Sequence, residues 1–140
     1  MRLTLNTEVD SLDIIRLAHG GGGMERDNLI KKIFIKDFFN DILYEMEDAA
    51  ALSIERRDGD RIAFTTDSFT IKPVFFPGGD IGRLAICGTV NDLLMRGAKP
   101  LYLSVSFIIE EGYRIEDLKK ITESMAKACR EAQVKIVAGG

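Results

Sequence analysis

The residues able to do chemistry gather between Thr65 and Pro100. Thr65-Thr66-Asp67-Ser68 closes one predicted strand, Pro77-Gly78-Gly79-Asp80 forms a turn, and Asn91-Asp92 lies on the helix that follows. Strand ends, glycine turns and acids without obvious partners are the ingredients of a site for a metal-bound phosphate. Two further acids, Glu47 and Asp48, precede the strand pair that leads to Asp67. If Asp58-Gly59 is a two-residue hairpin loop, Arg57 faces Asp60, and counting outward puts Ala50 opposite Asp67. Asp48 is then the diagonal neighbour of Asp67 on the same face, roughly 7–8 Å away between backbones. Two such carboxylates repel unless something positive lies between them, or unless both are simply solvated strand-end acids. Asp92 falls near the last turn of its helix, where the macrodipole disfavours an anion by a few tenths to ~1 kcal/mol. A nearby cation removes that penalty, and so does surface exposure.

A second feature is the run His19-Gly20-Gly21-Gly22-Gly23, which opens a helix predicted over Met24 to Phe39 from Ile30, Ile33, Phe34 and Phe38. Glycines at a helix start can wrap amides round an anion, although the same run also reads as a loose linker. No P-loop pattern is present. One histidine and two widely spaced cysteines, Cys87 and Cys129, speak against a zinc site or a disulfide. Both thiols are expected reduced on helices.

The elements that must position these residues follow in chain order. Leu12 to Ala18 reads as a short strand, and Ala49 to Arg57 with Asp60 to Ser68 as a hairpin. Asp80 is a good N-cap for a helix over Ile81 to Arg96 that Gly97 stops. Leu101 to Glu110 alternates as a strand with apolar residues on both faces, so one face is expected on helices and the other against a partner sheet. Ile115 to Ala132 is an amphipathic helix, and Val134 to Ala138 a buried strand running into Gly139-Gly140. At 140 residues this is one α+β domain, expected to be a fragment because the last strand ends in a turn that leads nowhere. A net charge of −3 offers no surplus of Lys and Arg for nucleic acid or anionic membranes. No secretory h-region and no run near the ~20 residues of a membrane span occur, so a cytoplasmic protein is expected.

The ordered pieces Leu17 to Gly23, Glu47-Asp48-Ala49-Ala50, Thr65-Thr66-Asp67-Ser68 and Lys72-Pro73 through Pro100 resemble the HypE family of hydrogenase maturation factors. That family belongs to the superfamily of aminoimidazole ribonucleotide synthetase, thiamine monophosphate kinase and selenophosphate synthetase. The resemblance covers nearly the whole chain. It implies an aminoimidazole ribonucleotide synthetase N-terminal-domain-like fold, a mixed sheet covered by helices on one face, with sheets pairing between two subunits. On that pattern residues 1–140 are an ATP-binding and dimerisation domain, without the C-terminal domain and its modified cysteine tail. The implied cofactors are ATP and Mg2+. Gly20, Gly21, Gly22, Gly23, Asp48, Thr65, Thr66, Asp67, Asn91 and Asp92 would contact the nucleotide, with Asp48, Asp67 and Asp92 on the metal. Oxygen ligands without His or Cys suit magnesium.

The resemblance further implies ATP-dependent dehydration of a cysteine thiocarbamate to thiocyanate, the source of cyanide for [NiFe]-hydrogenase. HypF is the implied carbamoyl donor and the HypC–HypD complex the acceptor. The family continues its last strand into Gly-Asp-Thr-Lys, whose Asp is a further metal ligand and whose Lys is catalytic. This chain stops at Gly139-Gly140, so the 140-residue piece is expected to fold and dimerise without turning over. Two alternatives stay open: a sibling phosphoryl-transfer enzyme of the thiamine monophosphate kinase or selenophosphate synthetase kind, and a non-catalytic dimerisation module. The glycine run lacks the Cys and Lys expected of selenophosphate synthetase.

Overall fold

The computed structural model describes residues 14–44, 52 and 59–140. Its N-terminal part is helical: α1 (Leu17–Gly20), α2 (Met24–Leu29), a π-helical continuation (Ile30–Ile35), α3 (Lys36–Phe38) and α4 (Asp41–Tyr44). The strand expected over Leu12 to Ala18 reduces to one antiparallel bridge, Ile14 to Arg114, before the backbone turns helical at Leu17. Polar groups make that turn. The Arg16 amide donates to His19 Nδ1 at 3.0 Å and the Leu17 amide to Glu111 Oε1 at 3.3 Å, satisfying amides that an unpaired strand would leave open. Gly22 and Gly23 lie at φ +84° and +79°, where a side chain is strained, and so carry the chain from α1 into α2.

Phe75–Phe76 (β1) and Gly79–Asp80 (β2) form a small antiparallel hairpin round Pro77-Gly78. It delivers Asp80 to the start of α5 (Ile81–Met95), where its carboxylate accepts from the Gly82 and Arg83 amides at 2.7 and 3.1 Å. Gly97, at φ +69°, ends the helix as expected.

β3 (Tyr102–Val105), α6 (Ile115–Ala132) and β4 (Lys135–Gly139) form a parallel crossover unit, with Leu103 beside Ile136 and a register shift before Ser104. Only four residues of the expected Leu101 to Glu110 strand form β3, because β4 is its one ladder partner among the described residues. A last bond from the Phe107 amide to the Gly140 carbonyl, 2.7 Å, extends the contact slightly. Gly139 must be glycine, since a Cβ there would sit 2.1 Å from the Val105 carbonyl oxygen.

The main core joins Ile86 and Val90 of α5, Ile121, Met125 and Cys129 of α6, and Leu103 and Ile136 of the sheet. α5 and α6 touch closely because residue 82 is glycine: a Cβ would lie 2.6 Å from the Ile121 carbonyl oxygen. Asn40 finishes the outer edge of β4, donating through Nδ2 to the Ile136 carbonyl at 2.7 Å. The first strand of the expected 49–57/60–68 hairpin lies outside the described residues. Residues 60–68 carry no ladder among the described ones.

Candidate active site

One glycine on α5 decides where the acids meet. A Cβ on Gly88 would stand 2.7 Å from Phe69 Cζ and 3.0 Å from Cε1, so the Phe69 ring lies directly on the helix backbone. Asp67 sits two residues before that ring in the chain, and Asp92 one helical turn beyond Gly88 on the same face of α5. The ring therefore brings the two side chains near one another, close enough for Asp92 to act on the Asp67 carboxyl. The Asp67 carboxyl is raised above the usual 3.8, first by partial desolvation, then by hydrogen bonding toward Asp92 and by the charge there. Two carboxylates this close need a proton or a cation between them.

Thr66 and Asp67 line a cleft of about 850 Å³ bounded by the 66–71 segment, the 103–110 segment and the α5–α6 surface beneath. That size suits a small-molecule ligand. Thr65 is half-buried just outside the lining, and Asn91 is exposed with no side-chain hydrogen bond among the described residues. Asp48 lies outside the described residues. Among the described residues no group of three or more His, Cys, Asp or Glu is placed to hold a metal. Asp67 and Asp92 are two hard oxygen donors in mutual repulsion, and a divalent cation fits them.

The glycine segment lies elsewhere. Gly20 lines a separate cavity of about 380 Å³ with His19, Arg16, Arg26 and Gly140. Val105, Phe107 and Ile109 line both spaces, so the stretch 105–109 stands between the glycines and the acids. Sequence reasoning joined Asp67 to Asp48 through the hairpin register and overlooked the Phe69–Gly88 contact. A glycine in mid-helix, where alanine would be preferred, was the available signal. It also overlooked Tyr113, an aromatic residue just ahead of α6 that lines the acid-bearing cleft.

Comparison with known proteins places the fold. The model of the AIR synthase related protein, N-terminal domain, matches residues 46–140. Carbamoyl dehydratase HypE of Escherichia coli (strain K12) is 51% identical over 127 residues, covering 89% of this chain and 38% of that protein. A crystal structure of hydrogenase maturation protein HypE in complex with ATP superposes with a TM-score of 0.83 at 49% identity, over 88% of this chain and 36% of that one. A crystal structure of a HypE–HypF complex matches with a TM-score of 0.53 at 59% identity, over 79% of this chain and 34% of that one. The chain thus spans little more than a third of these relatives. No helix among the described residues is long and apolar enough to cross a membrane.

Proposed function

The chain belongs to the family of AIR synthase related proteins, whose N-terminal domain it carries, and from that premise we propose that it is the Mg-ATP-binding part of a HypE-type carbamoyl dehydratase. The observation that carries this reading is the Asp67–Asp92 pair, whose Asp67 lines the 850 Å³ cleft. A solved relative of high similarity is a complex with ATP.

In this reading Asp67 and Asp92 hold magnesium, with Asp48 as a third ligand. Thr65, Thr66 and Asn91 contact the nucleotide, and the glycine segment Gly20 to Gly23 closes over its phosphates. Magnesium supplies neutralisation of the charge that develops during phosphoryl transfer. Asp80 fixes the start of α5, and Phe69 on Gly88 fixes the approach of Asp67, so both acids are positioned before the nucleotide arrives. The reaction of the whole-length protein takes a cysteine thiocarbamate, moves the γ-phosphoryl of ATP onto its amide oxygen, and expels that oxygen as phosphate. The two N–H protons leave and the C≡N bond of a thiocyanate forms.

The partners in this reading are HypF as carbamoyl donor, the HypC–HypD complex as acceptor, and a second copy of the chain, all in the cytoplasm. Ile62, Phe64 and Ile108 are 64, 89 and 103% exposed, an apolar surface that a subunit partner would cover. Calorimetry tests the site: the chain should bind Mg-ATP and Asp67→Asn should not. Binding by neither protein sinks the reading.

A further inference from the structure

Among the described residues, the Tyr113 hydroxyl is the one buried side-chain polar atom without a hydrogen-bond partner. Leaving a buried hydroxyl unpaired costs a fold roughly 1–3 kcal/mol, so such a group usually serves something other than packing. Tyr113 lines the same cleft as Asp67. Its backbone is clamped on both sides: the Ile15 amide donates to the Tyr113 carbonyl at 2.7 Å and the Gly112 amide to the Ile15 carbonyl at 2.8 Å. Gly112, at φ +87°, makes the turn that aims the chain into α6. The ring packs against both hydrophobic clusters, so the hydroxyl is held in place rather than swinging in solvent.

The surroundings select a ligand chemistry. Leu118, Ile121 and Ile109 make this part of the cleft apolar. Burial first, then the negative charges of Asp117 and Glu110, push the phenol above its usual range and keep it a protonated donor. Those same charges repel an anion. Phosphate therefore belongs with the acid pair and a bridging cation, and an uncharged polar edge belongs at Tyr113.

We infer that Tyr113 Oη hydrogen-bonds the neutral, base-bearing end of the nucleotide whose phosphates bind at Asp67 and Asp92, making it a specificity residue of this cleft. The inference rests on the Mg-ATP reading above. It is tested by titrating the chain, Tyr113→Phe and Asp67→Asn with Mg-ATP and with Mg-tripolyphosphate, which has no base. Tyr113→Phe should weaken Mg-ATP binding roughly ten-fold, the worth of one hydrogen bond in a desolvated site, and leave tripolyphosphate binding unchanged. Its melting temperature should match or exceed that of the unaltered chain. Unchanged Mg-ATP affinity in Tyr113→Phe, with Asp67→Asn losing both ligands, overturns the role of Tyr113 and leaves the Mg-ATP reading standing. A large drop in melting temperature also overturns it, because the hydroxyl would then be structural. Failure of the unaltered chain to bind either ligand overturns both.

Discussion

Gly88→Ala separates helix stability from the construction of the site. In the interior of α5, alanine improves helix propensity by about 1 kcal/mol over glycine. The same methyl group would lie 2.7 Å from Phe69 Cζ, closer than carbon atoms approach, so the ring must leave its seat. Overpacking of this kind costs about 1–3 kcal/mol, reduced here because Phe69 is half-buried and its far edge can swing outward. The two effects nearly offset, and the melting temperature should stay level or fall by a few degrees. Binding should not be spared: moving Phe69 carries Asp67 away from Asp92, and Mg-ATP affinity should fall at least about ten-fold, the order of one lost charge-assisted contact. Thermal melts with calorimetry measure both quantities. Phe69→Leu, alone and combined with Gly88→Ala, completes a cycle in which the smaller side chain should recover part of the lost affinity. Wild-type Mg-ATP affinity in Gly88→Ala, together with a raised melting temperature, would refute the argument that this contact sets the acid pair.

Two further outcomes follow from the ionisable groups. Asp67 is a carboxyl whose folded pKa lies above the unfolded 3.8, so the folded state binds the extra proton and metal-free stability falls as pH rises from 3.8 through the folded value. Asp67→Asn should therefore melt higher than the unaltered chain at neutral pH without magnesium, with the gap closing below pH 3.8; a gap independent of pH would contradict the acid pair. Burial first of all pushes the Cys129 thiol up to about 11, so at pH 8 it should resist iodoacetamide in the folded chain and react readily in urea. Equal labelling in both states, followed by mass spectrometry, would contradict its place in the core.

Helices were the most legible part of the chain. Asp80 as cap, Gly97 as stop and the periodic apolar face of α6 are signals contained within a few residues, and each element formed where expected. Strands were less legible because a strand is defined by its partner. Leu101 to Glu110 alternates over its whole length, yet pairing with β4 selects only Tyr102–Val105. Leu12 to Ala18 looks extended in composition, yet the bond from the Arg16 amide to His19 turns it into a helix start. The match of residues 46–140 to the AIR synthase related domain bears out the fold class inferred from the quoted motifs.

Residue types and near-neighbour spacing along the chain are enough to set the family and the local caps and turns. Tertiary structure alone decided which acids meet. Asp67 and Asp92 lie on separate elements, and their contact exists because the absent side chain at Gly88 lets Phe69 rest on α5. It alone put Gly20 and Asp67 in different cavities, since that depends on where the 105–109 segment passes between them. The unpaired Tyr113 hydroxyl belongs to the same class of fact, because no spacing along a chain reveals which buried donor will find no acceptor.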